Sequence, residues 1–190
     1  ALQRIPQWVI KTHGDYRVSD TKFRGRPLPV ECYALDYQLL AEAYPGLKTV
    51  EWSHFRDVPV YEVQTADLTV SIDASGTDVK ELNLTDKQIT QAVRHIHGEE
   101  AELTVSLIDT YEEYYLSRSG RLPLPVYKVE VDNADPSVYY VDPATGEFRY
   151  LNRARKAKKW VFSGLHYLNI HWLVERPVLW TIAIWTLCLG

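Results

Sequence analysis

Histidine changes charge nearest to neutral pH, so His166 and His171, just upstream of an uncharged stretch at 177–190, are the first residues to weigh. An imidazole on a segment about to enter an apolar environment is costly unless it finds a partner, which makes His166 a functional candidate. The alternative is an interfacial histidine bonded to backbone or lipid. His171 follows five residues later, about 500° around a helix, so the two would not share a face or readily bind one metal. His95 and His97, followed by Glu99 and Glu100, form a His-x-His-x-Glu run of the kind that binds divalent metals. On a helix, however, i and i+2 point to different sides, and cationic groups are favoured at a helix C-terminus in any case. Tyr111-Glu-Glu-Tyr-Tyr115 is an aromatic cluster with acidic neighbours. It suits ligand or partner contact through Tyr111, Tyr114 and Tyr115, and equally a long hairpin whose tyrosines pack over a sheet. Asp132 and Asp135 sit among turn-forming residues, where a structural role suffices. There is no Gly-x-Ser-x-Gly, phosphate-binding glycine loop, His-Glu-x-x-His or Cys-x-x-Cys, and nothing pairs a nucleophile with a base. The sequence argues against hydrolytic chemistry.

Composition narrows the class further. With 46% hydrophobic and 24% charged residues, the chain is that of a folded protein rather than a disordered one. A net charge of −4 without a broad basic excess argues against a nucleic-acid partner. The cysteines, Cys32 and Cys188, lie far apart, so neither a disulfide framework nor a clustered metal site is indicated. Methionine is absent even at position 1, so the chain reads as a processed product or a piece of a longer protein. Four of the six tryptophans (Trp160, Trp172, Trp180 and Trp185) fall late in the chain. From Pro177 to Gly190 there is no charge. That run is shorter than the roughly 20 residues a membrane crossing needs, and it reads as the first part of a transmembrane helix, with a buried core helix as the alternative. Trp172 and Trp180 suit an interfacial aromatic belt.

The elements that would position these residues come as an internal repeat. Val58-Pro-Val-Tyr-Glu-Val63 matches Leu124-Pro-Val-Tyr-Lys-Val129, and Leu68-Thr-Val-Ser-Ile-Asp73 with Ser75-Gly76 matches Ser137-Val-Tyr-Tyr-Val-Asp142 with Thr145-Gly146. Both copies finish on Leu-Asn, at Leu82-Asn83 and Leu151-Asn152. Three matches in one order indicate duplication of one unit. The spacing predicts a helix over about 33–44, stopped by Pro45-Gly46, and a second from about Asp86. Thr85-Asp-Lys-Gln88 is a capping box, Ile89, Ala92, Val93 and Ile96 form one apolar face, and Gly98 closes the helix. Strands are expected at about 48–54, 58–64, 68–73 and 79–82, then at 101–108, 124–132, 137–142 and 147–151. Each unit is thus an α+β fold, one helix on a four-stranded antiparallel meander, whose other face is left free. The expected divisions are a lead at 1–32, repeats at 33–83 and 84–152, and a membrane-proximal segment at 153–190. Residues 1–32 carry little readable pattern.

The hairpin Val126-Tyr127-Lys128-Val129 … Val141-Asp142-Pro143-Ala144-Thr145-Gly146 resembles that of PepSY domains. Trp160-Val-Phe-Ser-Gly-Leu-His166, then Arg176-Pro177-Val-Leu-Trp180, resembles the approach to a membrane helix in PepSY-associated transmembrane proteins. The resemblance covers roughly residues 33–190, and the first copy departs from it where its turn lacks the Pro and Thr. It implies two tandem PepSY-like units, followed by a juxtamembrane helix and the start of a transmembrane helix, in a bacterial inner-membrane protein with residues 1–159 in the periplasm. It also implies further transmembrane helices as partners, a setting in iron or siderophore uptake, and ferric siderophore or an envelope protein as ligand. Haem enters as the implied cofactor, with His166 and His171 as axial-ligand candidates in a ferric-siderophore reductase. The alternative is a regulatory or protease-inhibitory module without a redox role. One signal pulls against the periplasmic placement: Arg153, Arg155, Lys156, Lys158 and Lys159 precede the apolar run, and such clusters favour the cytoplasmic side. A helix along the membrane would instead offer them to anionic headgroups.

Overall fold

A computed structural model describes residues 18–117, 120–133, 136–159, 168 and 170–189. His166 and Asp135 lie outside the described residues. The chain folds as α+β, with two antiparallel sheets of three and four strands. The first half contains α1 (Asp20–Arg24), a 3-10 turn (Val30–Cys32), α2 (Tyr37–Ala43), β1 (Thr49–Phe55), β2 (Val58–Gln64) and β3 (Thr69–Asp73). The second contains α3 (Asp86–His97), β4 (Glu102–Ile108), β5 (Val126–Asp132), β6 (Ser137–Val141) and β7 (Phe148–Leu151). Then come α4 (Arg153–Lys159), α5 (His171–Val174) and α6 (Pro177–Leu189).

The second sheet is the expected four-stranded meander, in the order β4-β5-β6-β7. The first departs from expectation. Its fourth strand shrinks to one bridge between Ile72 and Glu81, leaving a three-stranded sheet. The short run 79–82, with Lys80 and Glu81 at its centre, offers little apolar surface to hold a full ladder.

The ends of α3 follow from its capping residues. The backbone N–H of Thr85 donates to Gln88 Oε1 at 2.8 Å, and the Gln88 N–H donates back to Thr85 Oγ1 at 3.4 Å. Gly98 ends the helix, its N–H bonded to the Arg94 carbonyl. Ile89, Ala92 and Val93 are fully buried against Val129, Val131, Tyr139 and Val141 of the second sheet. Burying an aliphatic side chain of this size contributes about 1.5–3 kcal/mol, so packing rather than propensity holds this helix.

The two halves share that core. Phe23, Phe55 and Val60 from the first half pack with Leu84, Ile89 and Tyr139 from the second. Phe23 stacks on Tyr139 at 5.7 Å and meets Phe55 edge-on at 5.5 Å. Between β1 and β2, Arg56 adopts a left-handed φ of 53° in a two-residue turn. Its guanidinium donates to the carbonyls of Lys22 and Ala92, tying α1 to α3. A smaller cluster (Leu35, Leu40, Tyr61, Val63 and Ile72) joins α2 to the other face of the first sheet.

α6 is apolar all round its 13 residues, with Val178, Ile182, Trp185 and Leu187 more than half exposed. At 1.5 Å per residue it is about 20 Å long, against about 30 Å of bilayer hydrocarbon. Among the described residues, no helix is long and apolar enough to cross a membrane.

Candidate functional site

Strand alternation decides which side chains meet beneath the 109–125 segment. In β5, Tyr127, Val129 and Val131 face α3, so Val126, Lys128 and Glu130 face the other way. In β6 the same rule sends Tyr139 and Val141 towards α3, and Val138 and Tyr140 to the opposite face. That second face is not free, as the sequence had suggested. Tyr115, Tyr111, Tyr114, Leu122 and Leu124 pack over it against Val126, Val138 and Tyr140. A face carrying Val126, Val138 and Tyr140 is apolar enough to require a cover.

Tyr115 is 2% exposed and stacks on Tyr140 at 4.7 Å with an interplanar angle of 22°. Its hydroxyl donates to the Pro123 carbonyl at 2.9 Å, and that of Tyr111 donates to the Leu122 carbonyl at 2.9 Å. Tyr114 is half-buried, with the Lys156 ammonium 5.4 Å from its ring centre. The three tyrosines singled out from sequence are therefore brought together, with Tyr115 inside and Tyr111 and Tyr114 at the rim.

Between them lies a polar network that sequence reasoning missed. Glu112 accepts hydrogen bonds from the Tyr140 hydroxyl and from Lys128 Nζ, the latter at 3.2 Å, and Lys128 also reaches Glu130 at 3.3 Å. Burial opposes the charge on Lys128, yet the bonds to Glu112 and Glu130 win and raise its pKa above the ordinary lysine value. Tyr140 is pushed up by burial and by its bond to Glu112, and burial pushes Tyr115 up to about 12. Hydroxyls held so firmly protonated are hydrogen-bond donors, not bases. The signal was present in the alternation: a lysine on the same face as Val126 needs a carboxylate once that face is covered. Beside the network, a shallow cleft of about 130 Å³ opens between Tyr115, Tyr140, Asp142, Glu147 and Arg149.

α4 docks at the rim. Lys159 Nζ donates to the Tyr114 carbonyl, and Arg155 donates to the Tyr150 carbonyl at 3.0 Å. Burial lowers the Lys159 pKa, with Arg149 adding to the effect and Glu112 opposing it. Three members of the basic cluster (Arg155, Lys156 and Lys159) thus contact the domain itself, while Arg153 and Lys158 stay exposed.

On the α3 side, a His97 ring nitrogen lies 2.7 Å from the Tyr139 hydroxyl and the other 3.3 Å from Asn133 Nδ2. His95 is exposed. Among the described residues, no group of three or more His, Cys, Asp or Glu is placed to hold a metal ion. Burial lowers the His97 pKa. The unfolded chain therefore binds this proton at a higher pH than the folded one, and stability falls as pH drops below the unfolded value of about 6.5. Thermal melts should show a decline from pH 7.5 to 5.0 that is smaller in His97→Gln; an unchanged decline would remove His97 as its source. His171 forms an ion-pair geometry with Glu175 at 3.4 Å, and its buried Nδ1 has no hydrogen-bond partner among the described residues.

The hairpin turn completes the site. Asp142 accepts from the Ala144 N–H at 3.0 Å and from the Thr145 hydroxyl at 2.8 Å. Thr145 Oγ1 accepts from the Glu147 N–H, and Gly146 takes a left-handed φ of 69°. Each residue of Asp-x-x-Thr-Gly thus has a task in closing the β6–β7 connection. Residues 84–150 match the family described as PepSY: Peptidase propeptide and YPEB domain. This segment is a PepSY domain. Its match begins at Leu84 beside the α3 cap and ends at Tyr150 in β7, so it spans α3 and the whole second sheet. No curated protein and no solved structure matches the chain. In this PepSY domain the signature turn is gripped by the first half of the chain: Arg24 Nη2 donates to the Thr145 carbonyl at 2.6 Å, and Phe55 lies against Gly146.

Proposed function

We propose that the chain is a protein- or ligand-binding PepSY module held at a bacterial inner membrane, facing the periplasm, in an iron- or siderophore-handling setting. The binding role rests on the PepSY match. The iron setting rests on the resemblance of the Gly-Leu-His and Arg-Pro-x-x-Trp segments. The tether is carried by one observation, the exposed apolar surface of α6 around Val178, Ile182, Trp185 and Leu187. A helix apolar on every side is stable only when covered by protein or lipid. Arg176 beside the Trp172 ring, and Trp180 bonded to the Leu168 carbonyl, place amphipathic side chains where α6 begins. The chain should float with lipid vesicles, and Ile182→Glu/Trp185→Glu should reduce the bound fraction by about a hundredfold or more, since each carboxylate in the hydrocarbon costs a few kcal/mol. Equal flotation of that variant would sink the tether.

The halves also read as a tandem pair, with Asp73 accepting from Ser75 N–H and Oγ in the first turn much as Asp142 does in the second. Haem ligation keeps its support from the resemblance. His171 is the described residue that would hold it, once its Nε2 leaves Glu175, and bound haem would supply one-electron chemistry. The family description favours one second reading, restraint of a peptidase. Assays of secreted peptidases with added chain, beside absorption spectra after haem titration, separate the readings: inhibition supports the second, and a haem band lost in His166→Ala supports the redox setting.

A further inference from the structure

The two sheets have four edges, and among the described residues another part of the chain takes at least one backbone group at three of them. At β1, the Tyr33 hydroxyl donates to the Ser53 carbonyl at 2.6 Å, and Arg56 N–H bonds to the Arg24 carbonyl. At β3, Asp73 N–H donates to the Lys80 carbonyl and Leu82 N–H to that of Ser71. At β7, Arg155 takes the Tyr150 carbonyl. Among the described residues, the outer edge of β4 has no such partner; its strand pairs only with β5. β4 is also undefended: seven residues, Glu-Leu-Thr-Val-Ser-Leu-Ile, with no proline or lysine, and Leu107 56% exposed. Exposed strands of this kind template pairing with another strand.

We propose that β4 pairs antiparallel with β4 of a second copy of this chain, joining the two PepSY sheets into one of eight strands. The sequence is self-complementary about Val105. A symmetric pairing centred there sets Leu103 opposite Leu107, Thr104 opposite Ser106 and Glu102 opposite Ile108, with Val105 facing its own copy. Leu103 and Val105 already pack on the α3 side of the sheet, and Leu107 shares their face but extends past its cover. In the pair, each exposed Leu107 lies against the Leu103 of the other copy. On the opposite face two hydroxyls meet, and no like charges stand directly across from one another. A strand of different sequence would lack this match on both faces. The pairing holds whether or not the chain is tethered, although a shared membrane would raise the local concentration.

The test uses the full chain in density-matched detergent, with mass from sedimentation and amide exchange in parallel. The wild type is expected to double its mass with rising concentration, with the β4 amides becoming protected. Leu107→Lys buries an ammonium against leucine, and Ser106→Glu sets carboxylates diagonal to Glu102 and to each other across the pair. Both positions are exposed, so the β5 and β6 amides should stay protected in each variant, while dimerisation weakens by about tenfold or more. A chain that stays monomeric to about 0.1 mM, or a dimer that survives either substitution in a folded variant, overturns the proposal. Should one variant lose β5 and β6 protection, the other decides.

Discussion

Gly146→Ala is expected to destabilise the fold by about 2–5 kcal/mol, a loss that combines two penalties. The first is conformational: φ is 69°, where an added Cβ approaches the carbonyl oxygen and costs about 1–2 kcal/mol. The second is steric. A Cβ at this position would stand 2.7 Å from Phe55 Cδ2 and 3.4 Å from Leu84 Cδ1, so the aromatic ring would have to move. Phe55 is 1% exposed and pinned against Phe23, and displacing it costs about 1–3 kcal/mol. For a chain of this size the melting temperature should fall by about 4–20 °C. Asparagine separates the two penalties, because it tolerates the left-handed region yet carries a Cβ. If the steric penalty dominates, Gly146→Asn should melt near Gly146→Ala; if the backbone penalty dominates, it should melt near wild type. Adding Phe55→Leu should make the second substitution less costly than the sum of the two. Additive effects would show that the first half does not press on the turn.

What could be read from the sequence was whatever a local rule determines. The capping box at Thr85 and Gln88, the apolar face of Ile89, Ala92 and Val93, and the stop at Gly98 each need only neighbouring residues. So do the alternation of β5 and the Asp142–Gly146 turn. The long-range agreements were not readable. α1 is five residues long, too short for periodicity, and forms around Phe23, which is 0% exposed in the shared core. Arg56 looks like an ordinary turn residue, yet it links three segments through two carbonyls and its own N–H. Arg24 reaches across 121 positions to Thr145. The candidate site divides in the same way. The tyrosines at 111–115 stood out by composition, but their partners Tyr140 and Lys128 are identified only by tracking which face of the sheet each residue occupies. Lys128 shares a face with Val126, and a covered lysine demands an acid; Glu112 supplies it from the covering segment itself.

Tyr115→Ala is the sharper test of that covering segment, with an expected cost of about 3–5 kcal/mol, the range for deleting a large buried aromatic. The ring is 2% exposed, stacked on Tyr140, and flanked by Tyr111 at 6.3 Å, so its removal leaves a cavity between two rings that hydrogen bonds hold in place. Tyr115→Phe removes only the bond to the Pro123 carbonyl and should cost about 1 kcal/mol. Tyr115 belongs to a cluster separate from the α3 core. The loss should therefore appear first as local opening at the 109–117, Arg121, Leu122 and Leu124 amides in hydrogen exchange, before the β5 and β6 amides respond. Opening would also uncover Tyr140, Val126 and Val138, and release Glu112 from Tyr140 and Lys128. If Tyr115→Ala costs less than about 1 kcal/mol and leaves exchange unchanged, the segment does not clamp the sheet, and Tyr111, Tyr114 and Tyr115 return to standing as a recognition surface. If the cost is large and local, contact with a ligand falls to the half-buried Tyr111 and Tyr114, because Tyr115 is committed to the fold.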